Sequence, residues 1–171
     1  MLQLLSVSII AHLCAVKYTT FVGSRFVDPQ KTAFDFGHYI LPRTPYHLPD
    51  YILFFIFPVM VVSLISQDKC IDYFHRFLVG FIFRSVCVSI TVFPTCVPFP
   101  YNNSNNLFLT KHDLIFSGHA FIFISMFFVF SCVWIHCVLI LGIISTISSR
   151  QHYSIDTLIA IFIGSTFFKT L

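Results

Sequence analysis

Two short polar blocks interrupt a hydrophobic sequence and carry residues suited to acid–base or nucleophilic chemistry: Ser117-Gly118-His119 and His152-Tyr153-Ser154-Ile155-Asp156. His152 and Asp156 are four residues apart, which puts them on one helical face if a helix begins near His152. A carboxylate that accepts a hydrogen bond from one imidazole nitrogen makes the other nitrogen a better nucleophile or base. His119 would then serve as a general acid or base.

The neighbours of the two histidines suit a phosphate-binding site. Gly118 permits close approach of the backbone, and Ser117 offers a hydroxyl and an N–H near a helix start. Arg150 lies two residues before His152 and is able to hold phosphate oxygens in a fork. The alternative is that each histidine is an inert, hydrogen-bonded residue at the membrane interface. The convergence of two histidines, a carboxylate and an arginine favours function, because ionisable groups at membrane depth are functional candidates.

The composition is that of an integral membrane protein. Of the 171 residues, 57% are hydrophobic and only 10% are charged, whereas a soluble domain has roughly 25% charged residues. The basic residues are scattered, with no run that would suit a nucleic acid, and the cysteines lack a CxxC spacing. We therefore expect a single transmembrane domain over residues 1–171 that binds the bilayer, with no metal site and no nucleic-acid partner.

The hydrophobic runs predict an all-α integral membrane bundle of about six transmembrane helices, at roughly 20 apolar residues for each full span. The predicted spans are residues 1–22, 51–66, 73–93, 113–132, 133–147 and 153–168. The first span is the weakest, and a cleaved signal peptide is its alternative. Since no basic region precedes its apolar run, a membrane helix is favoured.

Alternation of the spans across the membrane brings the two polar blocks to one face. The loops 23–50 and 94–112 and the turn 148–152 all emerge on the same side. His119 and His152 therefore both lie near helix starts at that side, although they are far apart in the sequence. The distribution of lysine and arginine weakly favours a cytosolic position for this face.

The polar blocks resemble two sequence elements of the sphingomyelin synthases, which belong to the wider lipid phosphate phosphatase superfamily. Phe116-Ser117-Gly118-His119 is similar to the SGH element, and the segment 150–156 is similar to the HYxxD element. Two further similarities, to the RxxTMxxTxLP element and to the PLPD segment of that family, are carried by Arg84, Thr91 and Pro94 and by Leu48-Pro49-Asp50. The resemblance covers about residues 41–171.

The resemblance implies a ceramide phosphotransferase that works by double displacement without a cofactor. His152, oriented by Asp156, would attack the phosphorus of a phospholipid donor while His119 protonates the departing diacylglycerol oxygen. His119 would then deprotonate the primary hydroxyl of the ceramide acceptor, which takes the phospho-head group from His152. Choline, ethanolamine and inositol head groups all remain open. The resemblance also implies a Golgi or plasma membrane location with a lumenal or extracellular active face, against the weak charge count.

Three further residues are candidates for substrate binding. Arg84 lies near the middle of the third span, a poor position for snorkelling, so a partner within the bundle or a substrate phosphate is favoured. Asp113 is suited to positioning His119 or a cationic head group, or to capping a helix. Tyr153 is suited to an aromatic cage for a quaternary ammonium, or to an interfacial aromatic belt.

In the first loop, Asp35, His38 and His47 are expected to be solvated rather than to bind a metal.

Two alternatives to the transferase stay open. The first is a lipid phosphate phosphatase, in which water replaces ceramide; the histidine pair does not separate the two, because only the acceptor differs. Against it, a single residue separates Arg150 from His152, where the phosphatases have five. The second alternative is a non-enzymatic protein: a small channel, a transporter or an inactive relative.

Overall fold

The computed structural model describes residues 1–26, 28, 33–92, 94, 96 and 115–171. Seven helices lie in these ranges: α1 (Leu2–Phe26), α2 (Phe36–Ile40), α3 (Leu48–Ser66), α4 (Cys70–Ile90), α5 (Gly118–Phe127), α6 (Val133–Ser148) and α7 (Ser154–Phe168). The described part of the chain contains no strand. The predicted all-α fold is therefore confirmed.

Six of these helices correspond to the six predicted spans, and α2 is an additional helix in the first loop. The helix α3 begins at Leu48 rather than at residue 51, because Pro49 fits the first turn of a helix, where no N–H is needed. Asp50 therefore lies in the first turn of a helix rather than in a loop. The bounds of α6 and α7 agree closely with the predicted spans 133–147 and 153–168.

The helix α5 is much shorter than the predicted span 113–132. Ser117 is its N-cap, and Phe116 has a φ of 66°. A residue in this left-handed conformation cannot be part of a right-handed α-helix, so α5 cannot extend back through Phe116. At the other end, Nε2 of His136 lies 3.1 Å from the Phe127 carbonyl, the last of the helix. Local backbone and side-chain contacts thus set both ends of α5, and these ends cannot be predicted from the length of the hydrophobic run.

In the described part of the chain, three helical segments are long and apolar enough to cross a membrane: Leu2–Gly23 within α1, and the whole of α3 and α4. The apolar helices α5, α6 and α7 have 10, 16 and 15 residues, which corresponds to about 15–24 Å, less than the ~30 Å hydrocarbon layer. The outward side chains of α3 and α6 are large and apolar, among them Phe54, Val62 and Trp134. Such a surface suits contact with lipid.

The core is centred on α5, which packs against α3, α6 and α7, while α1 packs along α4. Phe121 and Phe123 of α5 are fully buried. A Cβ added at Gly80 of α4 would lie 2.4 Å from the Phe121 ring, and one at Gly142 of α6 would lie 2.7 Å from the Phe123 ring. Real Cβ atoms do not approach so closely. The absence of side chains at these glycines therefore allows α4 and α6 to pack tightly against α5, the helix that carries His119.

Contacts between loops confirm that the two polar blocks share one end of the bundle. The Thr44 N–H donates to the Ser148 carbonyl (3.1 Å), and the Tyr153 hydroxyl donates to the Pro94 carbonyl (3.1 Å). The first loop, the segment that follows α4 and the turn before α7 therefore meet. The two polar blocks thus lie at one end of the bundle, and the alternation of the helices across a membrane stays a prediction.

Candidate active site

A backbone contact between α5 and α7 brings the two polar blocks side by side. The Ser117 N–H donates to the Asp156 carbonyl over 3.2 Å. The imidazole rings of His119 and His152 have their centroids 6.4 Å apart, with the ring planes at 60°. At this separation both rings are able to contact a single bound phosphoryl group.

His152 precedes α7, so the prediction that His152 and Asp156 share a helical face is wrong. The N-cap of α7 is Tyr153, and Oδ2 of Asp156 accepts the Tyr153 N–H (3.0 Å) as part of a capping box. The same oxygen lies 3.9 Å from Nδ1 of His152. The capping turn, rather than helical periodicity, brings the carboxylate to the imidazole. With Nδ1 facing Asp156, Nε2 is the nitrogen that faces away from it.

His119 has a carboxylate of its own, which the sequence analysis did not assign to the site. Its Nε2 lies 2.7 Å from Oδ1 of Asp50, in the first turn of α3. This contact leaves Nδ1 of His119 for proton exchange with a substrate oxygen. The one sequence signal for Asp50 is the resemblance of Leu48-Pro49-Asp50 to the PLPD segment.

Asp50 also connects the histidine pair to the surrounding loops. Its Oδ2 lies 3.1 Å from Nδ1 of His47 and 3.5 Å from Nε2 of Gln151, in the turn before α7. The side chains of His119 and Asp50 are 22% and 44% exposed. A ligand can therefore reach this carboxylate–imidazole pair from outside the bundle.

Left-handed backbone flanks both polar blocks. Phe116 (φ 66°) directly precedes Ser117, and Arg150 (φ 63°) lies two residues before His152; the third such non-glycine residue in the described part of the chain is Asp68, in the α3–α4 turn. In this conformation the Cβ of an L-residue approaches the backbone too closely, and for a bulky residue such as phenylalanine it is a clear outlier. Strain of this kind clusters at functional sites.

Arg84 lies against the first turn of α5. Its buried guanidinium donates from Nε to the Phe116 carbonyl (3.0 Å), and its Nη1 lies 3.3 Å from Nδ1 of His12. A Cβ at Gly118 would lie 3.4 Å from Nε of Arg84, an ordinary van der Waals contact, so Arg84 packs directly against this turn. The positive end of α5 and the guanidinium together favour an anion near the histidines. The predicted partner within the bundle is thus present, and contact with a substrate phosphate stays a prediction.

Arg150 is only partly available for the predicted phosphate fork. Its Nη2 donates to the carbonyls of His38 and Leu41, which ties this nitrogen to the first loop. Among the described residues, its Nη1 has no hydrogen-bond partner although it is buried, and the same holds for Oε1 of Gln151. An unpaired buried guanidinium nitrogen is costly. Nη1 is therefore the atom of Arg150 that is suited to a phosphate oxygen, whereas a fork through both Nη atoms is excluded.

Two other predicted binding residues have different outcomes. The buried hydroxyl of Tyr153 accepts the Ala33 N–H and donates to the Pro94 carbonyl, both over 3.1 Å. These contacts join the segments around the site, and a part in substrate binding stays a prediction. Asp113 lies outside the described residues.

The first loop is not uniformly solvated. The side chain of His47 is 65% exposed, as expected, but those of Asp35 and His38 are only 8% and 14% exposed. The expectation is wrong for these two, because they pack against the segment that carries His152. Across the described ranges, no group of three or more His, Cys, Asp or Glu side chains is arranged to hold a metal ion.

Residues 112–171 match the family model described as PAP2 superfamily C-terminal. This match supports the lipid phosphate phosphatase superfamily. The matched segment contains both polar blocks, whereas Asp50 and Arg84 precede it. The match suggests lipid phosphate chemistry of the phosphatase or phosphotransferase type. No curated protein and no solved structure gives a significant match to the chain.

Proposed function

We propose that the protein transfers a phospho-head group from a glycerophospholipid to the primary hydroxyl of ceramide, through a phosphohistidine intermediate on His152. The observation that carries this proposal is the pair of histidines, whose ring centroids lie 6.4 Å apart and each of which has its own carboxylate. Asp50 contacts His119 at 2.7 Å, and Asp156 lies 3.9 Å from His152. Two imidazoles with separate carboxylates suit one nucleophile and one acid–base group.

In the first step, Nε2 of neutral His152 attacks the phosphorus, and the bond from phosphorus to the glycerol oxygen breaks. The departing oxygen takes the bonding electron pair and a proton from Nδ1 of His119, which starts the step as an imidazolium. Asp50 holds the other proton of His119 on Nε2. The positive charge that develops on the His152 ring is stabilised by the Asp156 carboxylate on its Nδ1 side.

In the second step, the primary hydroxyl of ceramide gives its proton to Nδ1 of neutral His119, and its oxygen attacks the phosphorus. The P–N bond breaks, and its electron pair returns to Nε2 of His152. Both histidines recover their starting protonation states, so no net proton is gained or lost. Splitting the transfer into two displacements replaces one difficult step by two easier ones.

The phosphate group would be held by positive groups that surround the histidines. The N-terminus of α5 with Ser117 and Gly118 offers backbone N–H groups. Arg84 lies directly behind this turn, and Nη1 of Arg150 offers one further donor. These groups would stabilise the charge that develops on the phosphoryl oxygens.

Transfer to a lipid rather than to water is supported by the burial of the nucleophile. His152 is only 8% exposed, so an intermediate on its ring would be shielded from bulk water. A phosphatase is the second candidate, and the match of residues 112–171 to the PAP2 superfamily favours it. In that case water would take the place of ceramide in the second step. By the resemblance to sphingomyelin synthases, we further propose a lumenal or extracellular active face in the Golgi or plasma membrane.

The test is turnover in vesicles that hold the purified protein, ceramide and one labelled donor: phosphatidylcholine, phosphatidylethanolamine or phosphatidylinositol. We expect one labelled ceramide product from the wild type, and at least about 10²-fold less from His119→Ala and His152→Ala. The matched control is His75→Ala, since His75 is exposed on α4 away from the histidine pair.

The donor and acceptor arms separate the candidates. Diacylglycerol made from phosphatidic acid without ceramide, and lost in both histidine variants, would establish the phosphatase instead. No turnover of any lipid by the correctly inserted wild type would contradict both candidates.

A further inference from the structure

A strap, defined here as residues 33–41 and containing α2, lies over the turn that carries His152. Three of its residues contact this turn or the helix that follows: Asp35, Gly37 and His38. None of the three takes part in the chemistry proposed above.

Asp35 caps two helices at once. Its Oδ1 accepts the His38 N–H (2.9 Å) at the start of α2. Its Oδ2 accepts the Ser154 N–H (2.8 Å) at the start of α7, and Oδ1 also accepts the Ser154 hydroxyl (2.8 Å). Hydrogen bonds from these donors outweigh the burial that raises the pKa of Asp35, so this pKa lies below its usual 3.8 and the group is a carboxylate at neutral pH. The strap and α7 are therefore held by one charged group.

Gly37 allows the strap to approach α6 and α7 closely. A Cβ at this position would lie 2.1 Å from Oγ of Ser154 and 2.8 Å from Cγ2 of Ile147. Even alanine would require the strap or the side chains of Ser154 and Ile147 to shift. The contact made by the next residue, His38, depends on this approach.

His38 reaches the backbone of His152. Its Nε2 lies 2.9 Å from the His152 carbonyl oxygen, and its ring stacks on Tyr153 with centroids 5.5 Å apart. The His38 carbonyl accepts from Nη2 of Arg150. Burial lowers the pKa of His38, although its contacts with His152 and Asp35 oppose the shift. The imidazole is therefore neutral at pH 7, and its proton lies on Nε2, where the carbonyl accepts it.

Both backbone polar groups of His152 are consequently fixed. Its N–H donates to the Thr146 carbonyl (3.2 Å), and its carbonyl accepts from His38. We propose that His38 is a positioning residue, which holds the His152 peptide so that the imidazole is aimed at the substrate phosphorus. The role of His152 as the nucleophile rests on the proposed function, whereas the restraint of His152 by the strap does not.

The test compares His38→Leu, which removes the donor, with His38→Gln, which keeps an N–H near the position of Nε2. Misplacing a reacting group by about 1 Å costs up to about 10²-fold in rate. We expect His38→Leu to lower kcat by ten- to hundredfold, with KM for the donor lipid changed by less than about twofold, and His38→Gln to recover most of kcat. The control is His75→Leu, which should retain wild-type kcat and KM.

A second measurement does not depend on turnover. Modification of His152 by diethyl pyrocarbonate, followed by peptide mass spectrometry, reports how firmly its imidazole is held. We expect modification several-fold faster in His38→Leu and in Gly37→Ala than in the wild type, with His38→Gln close to the wild type. Equal modification rates in His38→Leu and the wild type would overturn the positioning role, and so would a His38→Gln enzyme as slow as His38→Leu. A wild type with no lipid turnover would contradict the proposed function alone, and the modification rates would still decide on the strap.

Discussion

Replacement of Asp50 by asparagine probes the contact that the sequence analysis did not assign to the site. Asparagine keeps the size of the side chain and an oxygen able to accept the His119 Nε2–H, but it removes the negative charge. In the proposed mechanism His119 is an imidazolium before the first step, so the loss of charge acts on the acid form of this residue. Binding of the donor lipid should change little.

The size of the effect follows from the 2.7 Å contact between Nε2 of His119 and Oδ1 of Asp50, and from the exposure of the carboxylate. Hydrogen bonds to charged groups contribute about 1.5–3 kcal/mol. Asp50 is 44% exposed, and solvent screens such charges. We therefore take the lower end, about 1.5 kcal/mol, which corresponds to about a tenfold decrease in kcat.

The assay is the rate of head-group transfer from the labelled donor in vesicles, measured over a range of donor concentrations. We expect Asp50→Asn to lower kcat about tenfold with KM unchanged, far less than the loss in His119→Ala. The matched control is Asp72→Asn, because Asp72 is also ion-paired, with Arg76 at 3.0 Å, but lies at the start of α4. Wild-type kcat in Asp50→Asn would refute the reasoning, as would an equal loss in the Asp72 variant.

Three further predictions concern the bundle and the strap. Arg84→Lys keeps the charge but loses the Nε donor to the Phe116 carbonyl, so thermal unfolding in detergent should show a loss of about 1.5–3 kcal/mol; a stability equal to that of the wild type would show that this hydrogen bond is dispensable. Tyr73→Phe removes a buried 2.6 Å hydrogen bond to Ser125 and should cost about 1 kcal/mol of stability while leaving kcat unchanged. A lower kcat would contradict a purely structural role for this hydrogen bond. Burial holds the pKa of His38 below its ordinary 6.5. The docked strap therefore contributes its full stability above about pH 6.5, and this contribution is lost as the pH falls through the lowered pKa. The wild type should lose more stability than His38→Gln between about pH 7.5 and about pH 5.5, and equal losses would contradict this dependence on His38.

The sequence was sufficient to predict the helices and the shared face of the two polar blocks. Hydrophobic length is a local property of the chain, and alternation across a bilayer follows from it. His119 and His152 could therefore be placed at one end of the bundle without knowledge of the packing. The bounds of α3 and α5 were less accurate, since they depend on Pro49 and on the left-handed backbone of Phe116.

The partners of the histidines could not be predicted in the same way. The contact between Asp50 and His119 depends on how α3 packs against α5, and neither hydrophobicity nor spacing reports this. The buried positions of Asp35 and His38 depend on the docking of a loop, which composition alone made look solvated. The pairing of His152 with Asp156 was predicted from helical spacing, whereas it arises from a capping box at Tyr153.

The central claim, that His152 carries the phospho-head group, is tested most directly by trapping the intermediate. Vesicles with the donor lipid but without ceramide would be quenched under alkaline conditions, where a phosphorus–nitrogen bond to histidine survives, and the peptides would be analysed by mass spectrometry. The double-displacement mechanism predicts a head-group phosphate adduct on His152 that disappears when ceramide is added and is absent from His152→Ala. An adduct on His119, or turnover without any adduct on His152, would contradict it.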